Sequence, residues 1–547
     1  MTATTLPRPD AGSRSATQTL AGSNTMLRLV LRRNRVRLVV WLLVLVGLFA
    51  YVGVYYRDLF DTQAALDDFA ALSDTPSIRA LTGLAAAPAT LGGAVWTKIW
   101  MTLVMTLAFG VIFLVTRNGR ADEELARTEL LRSRMLGLHA YSVMAWAVIA
   151  GLCVAVGAGV TLLSVAVGLD PVGTNTTGSL VVGASVTGLG LVALGVGAVA
   201  GQMTSTARGA NAMGAVVFGV FYVVRMVGDL GDGRLTWLSP IGWGQQMQPW
   251  GANNWGPLLL LVILAAALLA FATVLEARRD LGAGLFPERA GRPSAPRSYA
   301  SPLGLALRLQ RGPIVGWTLT ILLSALLFGS VVEAMTDLLD DASSSAAAML
   351  RGTGLPALLS LLISMIAMVT AVFALQSAAS LRSDEASGIV EPQLTGALSR
   401  TSWALQRLLI PSVGSAVLLL LGGGAMGLTY GALIDDPGQS ADLALAALAY
   451  WPAVMVLVGV AVALFGWLPR LATPLTWGVL AATWFIVLVG DALSLPEWLI
   501  DALPFSATPY QPLEAMSWTP VVVMTVLAAA LTVTGLDRFR RRDVQPG

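Results

Sequence analysis

Apolar stretches of roughly 20 residues recur along the whole chain, and few architectures can accommodate so many. They fall at roughly 38–56, 93–116, 141–168, 179–204, 210–227 and 257–276, and again at roughly 313–333, 355–379, 404–431, 444–468, 474–493 and 519–536. Each is long enough to carry a helix across a hydrocarbon core, where every backbone N–H and C=O must be satisfied within the segment itself. The short alternating segments of an outer-membrane barrel are absent. Hydrophobic residues make up 56% of the chain and charged residues 12%, about half the charge of a soluble domain. The sequence therefore predicts an all-α polytopic membrane protein with about 12 transmembrane helices.

Charge fixes the expected orientation. With the N-terminus inside, the cytoplasmic segments hold 28 Arg and 13 acidic residues, and the outer loops hold 4 Arg and 19 acidic residues. The opposite orientation would place almost all Arg outside, against the positive-inside rule. Both termini are thus expected in the cytoplasm of a cell whose plasma membrane carries the chain. Residues 1–25 are rich in Thr, Ser, Ala and Pro, which predicts a disordered cytoplasmic tail. The long leader and the absence of a small-residue cleavage site after Leu38–Tyr56 argue against a cleaved signal peptide. Met26–Arg37 mixes Leu and Val with five Arg, as a membrane-surface helix or a basic flank of the first span would. The stretch 278–302, rich in Arg, Pro and Gly, reads as a cytoplasmic linker between two six-helix units, 26–277 and 303–547. Six is even, so the units are expected to be parallel repeats.

The repeat is sharpest in a charged cassette. Arg120, Asp122, Glu123 and Glu129 recur 262 residues later as Arg382, Asp384, Glu385 and Glu391, and an aromatic follows each, Tyr141 and Trp403. Each cassette lies between the second and third spans of its unit, on the cytoplasmic side. On one continuous helix Asp122 and Glu129 would share a face, as would Arg120, Glu123 and Arg127. One copy could be a self-paired, solvated helix. Two copies at equivalent positions point to two docking surfaces for a symmetric partner. Each last span also begins with Pro257 or Pro520 and exits through Arg278-Arg279-Asp280 or Arg541-Arg542-Asp543.

Several chemistries are excluded. A P-loop needs a Gly-Lys-Ser/Thr triplet, and the only lysine, Lys98, is followed by Ile99, so the chain is not itself a nucleotide-hydrolysing enzyme of that class. One His and one Cys, Cys153, offer no metal-ligand cluster and no intramolecular disulfide. Ion-coupled carriers need titratable groups near the membrane centre, and Lys98, Arg225 and Glu276 all sit near span ends. A 12-helix ion-coupled secondary efflux transporter and a lipid-handling membrane protein remain as alternatives from other classes. Nothing suggests a nucleic-acid partner.

On these residues the chain resembles the permeases of the ABC-2 exporter type in their fused two-unit form. More narrowly, it resembles the actinobacterial tetronasin-type exporters of polyketide antibiotics. The resemblance implies an elbow helix opening each unit, matched by Met26–Arg37 and less clearly by Leu303–Arg311. It implies a coupling helix between spans two and three with an acidic E-x-x-G-x-x-E-like pattern, met by Glu385, Gly388 and Glu391. In the first unit Glu123 and Glu129 match, but Ala126 replaces the glycine. It implies partly re-entrant outer segments around Pro240 and Pro504. It implies two copies of a separate ATPase subunit carrying ATP and Mg, no cofactor in this chain, and outward movement of small amphiphilic or hydrophobic molecules such as antibiotics. By the same analogy a substrate cavity would be lined by Phe109, Phe113, Phe218, Phe221, Met365, Phe373, Trp477 and Trp484. For any one of these, lipid contact or core packing is an equal reading.

Overall fold

The computed structural model of the chain describes residues 20–544, apart from 74–78, 80–81, 85, 133–136, 172–174, 280–283, 286–293, 295, 297–298, 300, 342–353, 397 and 490–495. The expected tail 1–25 and linker 278–302 thus fall largely outside the described residues. Among those described there is no β-strand. Eleven helices among the described residues are long and apolar enough to cross a membrane, and Ala472–Val487 is a shorter apolar helix. The chain is an all-α, multi-pass membrane protein. It divides into two compact units, 1–291 and 292–547.

In the first unit the order is α1 Ser23–Leu59, α2 Gln63–Ser73, α3 Leu91–Arg117, α4 Arg120–Glu124, α5 Arg127–Arg132, α6 Ala140–Val167, α7 Thr177–Met203, α8 Ala207–Leu230, α9 Pro240–Gln245 and α10 Gly256–Arg278. The second unit repeats it with α11 Pro302–Asp341, α12 Leu355–Ala378, α13 Ser380–Ala386, α14 Val390–Leu394, α15 Arg400–Leu433, α16 Gln439–Leu448, α17 Trp451–Trp467, α18 Ala472–Val489, α19 Glu497–Asp501 and α20 Trp518–Arg541. The expected elbows are not separate helices. Met26–Arg37 is the first third of α1, and Leu303–Arg311 opens the 40-residue α11. No Gly or Pro interrupts Ser23–Val46, and arginine and leucine are good helix formers, so nothing breaks the first elbow from its span.

Each unit is built around its second and fourth spans. In the first, α3 and α7 are buried along most of their length, whereas α1, α8 and α10 bury a single side. Trp100 on α3 is buried, stacks on Trp96 one turn away with ring centroids 4.2 Å apart, and donates its indole N–H to Ser185 Oγ on α7 at 3.0 Å. Along the outward side of α1, Val36, Val39, Val40, Leu43 and Val44 are each more than half exposed, an apolar stripe suited to acyl chains. The second unit uses α12 and the α16–α17 pair as its centre. Here the span predicted at 444–468 is met by Gln439–Trp467, whose helical pattern lapses for two residues at Ala449–Tyr450. Pro452 carries no N–H, which leaves Leu448 C=O without an intrahelical donor. The matching position in α7 is Gly190, and α7 runs unbroken.

Helix crossings in this core rest on backbone-to-backbone approach. A Cβ built on Gly535 of α20 would lie 2.4 Å from Val462 O, and one on Gly466 of α17 2.3 Å from Gly535 O. Backbone atoms cannot swing aside. Gly535→Val should therefore cost about 1–3 kcal/mol of stability, seen as a lower unfolding temperature of the detergent-solubilised chain. Gly478→Ala, whose Cβ meets nothing within 4 Å, should be neutral or gain about 0.5–1 kcal/mol. Equal melting of the two variants would contradict this account of the α17–α20 contact.

Candidate coupling sites

Both cassettes fold as two short helices joined by a turn, so the predicted single helical face does not form. In the first unit α4 ends at Glu124 and α5 begins at Arg127, with Ala126 in the left-handed region at φ 53°. In the second, α13 ends at Ala386 and α14 begins at Val390, with Gly388 at φ 73°. Ala126 and Gly388 are 262 residues apart in sequence. The glycine of the E-x-x-G-x-x-E-like pattern therefore marks a positive-φ turn, and Ala126 makes the same turn with a Cβ that disfavours it.

The turn divides each cassette into a buried and an exposed part. Asp122, expected to share a face with Glu129, is buried: it accepts from Arg33 Nη2 of α1 and Tyr141 Oη of α6, each at 2.6 Å, and from Arg127 Nη1 at 3.4 Å. Glu123 accepts from Arg120 Nη1 at 2.6 Å and from both terminal nitrogens of Arg279, at 2.5 and 2.8 Å. Arg279 stands one residue past α10 and also donates to Gln202 of α7, while Arg120 donates to Thr204 C=O. Glu124 caps the start of α8 by accepting from Ala207 N–H at 2.7 Å. Beneath the cassette, Asn34 of α1 donates to Asn118 Oδ1 at 2.8 Å. Leu125, Ala126, Arg127 and Glu129 face outward.

The second unit repeats this arrangement with substitutions. Glu385, fully buried, accepts from Arg382 at 3.2 Å and from both terminal nitrogens of Arg542, at 2.5 and 2.8 Å. Arg542 follows α20 directly, lies 263 residues after Arg279, and its guanidinium rests over the rings of Phe465 and Phe539. Asp384 pairs with Arg407 of α15 at 2.7 Å, and Arg407 in turn stacks on Trp403. Gln310 of α11 donates to Ser380 Oγ at 3.2 Å, the counterpart of Asn34 and Asn118. Ser383, Ser387, Ile389 and Glu391 are exposed. In each unit, then, one arginine at the exit of the last span grips the cassette through a bidentate, nearly buried ion pair. Breaking such a pair from one side costs about 3–5 kcal/mol, because the remaining charge stays buried.

Of the predicted coupling residues, Glu129 and Glu391 are on the surface with Gly388 at the turn between. Arg120, Asp122, Glu123, Arg382, Asp384 and Glu385 are internal ties. Sequence reading missed the partners Arg33, Tyr141, Arg279, Arg407 and Arg542. The repeated Arg-Arg-Asp exit of each last span was the available signal for two of them. The proposed cavity aromatics scatter. Phe218 and Phe373 are fully buried in the cores of their own units, Phe218 edge-to-face with Phe221 at 5.6 Å. Phe113 and Trp477 point outward, and Phe109, Met365 and Trp484 are half-buried. None of the eight lines the 990 Å³ cavity of the second unit, which is bounded by α16, the start of α17 and α20. Near the acidic end of the first unit Arg225 is buried against Asp229 at 3.2 Å, with Thr236 and Gln245 also donating to that carboxylate. Glu276, expected at an interface, is buried and bonded to His139 and Ser142.

The turn makes a direct prediction. Gly388→Ala should destabilise the folded chain by about 1–2 kcal/mol for conformational reasons alone, since its added Cβ meets nothing within 4 Å. Ala126→Gly should be stabilising or neutral, and thermal unfolding of the two purified variants checks the opposite signs.

Two comparisons locate the chain among known proteins. Residues 299–540 match the family described as the C-terminal domain of the multidrug efflux system permease Rv1217c. The multidrug efflux system permease protein Rv1217c of Mycobacterium tuberculosis (strain ATCC 25618 / H37Rv) is 36% identical over 532 residues, covering 96% of this chain and 95% of the relative. A likeness of that extent over both units means that the chain belongs to the Rv1217c family of multidrug efflux system permeases.

Proposed function

We propose that the chain is the membrane-spanning permease of an ATP-driven exporter of the ABC-2 type, close to the tetronasin-type subfamily, and that it moves hydrophobic or amphiphilic small molecules outward. The observation that carries this reading is the duplicated cassette, held by the same bidentate clamp in each unit while a short acidic edge stays exposed. Because the sequence offers no lysine for a P-loop, ATP in this reading is hydrolysed on another protein. Two cassettes at the arginine-rich, cytoplasmic end suit two copies of a separate ATPase subunit, with ATP and Mg bound there. The exposed edges, Leu125–Glu129 and Ser387–Glu391, are the docking surfaces in this reading.

The clamps supply a mechanism for transmission. A cassette tied only by its chain ends would absorb a push by bending. Glu123 fixes the first cassette to the exit of α10, and Asp122 fixes it to α1 and α6. Glu385 and Asp384 fix the second to α20 and α15. A displacement of the exposed edge is then shared by the second, third and last spans of a unit, as a rigid-body switch requires.

Glu391→Arg in the full chain should cut co-purification of the ATPase at least tenfold while leaving membrane insertion and thermal unfolding unchanged. Glu129→Arg should act in the same direction. Unchanged pull-down in both would overturn the docking assignment. Arg542→Gln should instead lower stability by about 3–5 kcal/mol, because it takes the bidentate partner from a buried Glu385 and leaves it Arg382. The Glu385→Gln/Arg542→Gln pair should recover part of that loss. An ion-coupled mechanism is tested separately: transport into inverted vesicles that survives an uncoupler and stops on ATP depletion excludes it.

A further inference from the structure

The second unit holds a cavity of about 990 Å³, a size that accommodates a drug-sized molecule. It opens where α16 gives way to α17, against α20 and the segment just before it. Its walls are mostly Leu, Ala, Pro and Val, with Trp451, Met516 and Trp518 as the large side chains. Trp451 is pinned, its indole N–H donating to Ser412 C=O at 2.9 Å, whereas Trp518 is 69% exposed. Two carboxylates reach the cavity, Asp442 from the first turn of α16 and Glu514 from the segment before α20. None of the 17 lining residues is Arg, Lys or His, and among the described residues neither carboxylate is in an ion pair. In the first unit the position 262 residues before Asp442 is Leu180, and those 262 and 263 before Glu514 are Ala252 and Gly251. The acidic pair therefore belongs to the second unit and is no general feature of the repeat.

We infer that this cavity binds monocationic amphiphiles, with the apolar body between Trp451, Met516 and Trp518 and the cationic head between Asp442 and Glu514. Apolar walls supply burial, at roughly 25 cal/mol for each Å² of ligand surface removed from water. The carboxylates and the faces of two indoles attract a cation and leave a neutral body unaffected. An anionic amphiphile meets two like charges with no compensating partner, so the site selects by sign as well as by shape. Helix-start stabilisation by Asp442 accounts for that residue alone. Glu514 Oε2 accepts from Tyr510 N–H at 3.1 Å, a local turn contact that leaves Oε1 and the recess unaccounted for.

The inference rests on the exporter reading only in treating the occupant as cargo, and binding can be measured without the ATPase. Full-length chain in phosphatidylcholine nanodiscs would be titrated with rhodamine 6G, a monocation, and with Nile red, a neutral dye, empty nanodiscs giving the lipid background. Asp442→Asn/Glu514→Gln should weaken rhodamine 6G at least tenfold and change Nile red less than twofold. Thr525→Trp, which fills the mouth from an exposed position on α20, should weaken both at least fivefold. Intrinsic fluorescence melting of each variant verifies the fold. Unchanged rhodamine 6G affinity in the double variant, or unchanged binding of both dyes in Thr525→Trp, would overturn the site. If binding follows the expected pattern but the assembled complex transports neither dye, the exporter reading fails and the site stands.

Discussion

Two bidentate ion pairs hold the arginine-rich ends of this protein together: Glu123 with Arg279 in the first unit and Glu385 with Arg542 in the second. Each carboxylate comes from the loop after the second span, and each arginine from the residue just past the last span. Burying two charges this fully costs several kcal/mol of desolvation per ion, and the mutual attraction recovers it only with near-ideal geometry and all remaining donors satisfied. The geometry meets the first demand, although Arg542 Nε is buried without an acceptor among the described residues. Both oxygens of each carboxylate receive a guanidinium nitrogen, and a second arginine, Arg120 or Arg382, adds a further bond from within the cassette. Replacing such a cluster with packed aliphatic side chains would be no less stable. What it provides is fixed registry between a loop and a distant helix end, which an apolar contact defines less sharply.

The same repeat is upheld by different chemistry at its secondary contacts. Asp122 is held by the elbow arginine Arg33 and the phenol of Tyr141, but Asp384 by Arg407 from the third span. Where the first unit has Glu276 bonded to His139 and Ser142, the second has Phe539 packed 4.9 Å from Phe465 and 5.8 Å from Trp403. Asn118 becomes Ser380, and its partner lengthens from Asn34 to Gln310, conserving the reach of the pair. The primary clamp is thus common to both units, while the supporting shell has diverged. At the opposite end the divergence is larger. Arg225 and Asp229 bury an ion pair in the first unit, and the position matching Arg225 is Val487. An unbroken, glycine-rich α7 is matched by the interrupted α16–α17 pair.

Much of the architecture was legible in the sequence because bilayer-length apolar runs constrain structure more than any local propensity. All twelve predicted segments meet helices, most with ends within about five residues of expectation; elbows start α1 and α11 earlier, α11 also runs on to Asp341, and the helical pattern lapses before Pro452. The cassette was legible as a motif and misread as a surface. A period of seven places Asp122 and Glu129 on one face only if the helix continues, and the left-handed residue at Ala126 ends it. Alanine carries no sequence signal for such a turn, although its counterpart Gly388 does. Arg33, Arg279 and Arg542 lie 89, 156 and 157 residues from the carboxylates they hold, beyond any periodicity argument, and Tyr141 and Arg407 lie 19 and 23 away. Only the repetition of Arg-Arg-Asp at both exits hinted at Arg279 and Arg542. The burial of the residues proposed for a cavity was not legible for a simpler reason: an aromatic side chain in an apolar helix carries the same sequence signature whether it packs inward or meets lipid.

The position of the clamp also limits how motion can pass through each unit. Along the chain, the cassette joins the second span to the third, so without cross-links a load on its exposed edge would reach only those two helices. Through Arg279 or Arg542 the load also reaches the last span, and in the second unit α20 is itself locked to α17 by glycine contacts at backbone distance. Interfaces this close have little room to deform gradually, so they shift as blocks. The cavity of the second unit is bounded by α16, the start of α17 and α20. Arg542 ties Glu385 to the end of α20, and α20 also forms one wall of that cavity, so a single continuous helix runs from the clamp to the recess.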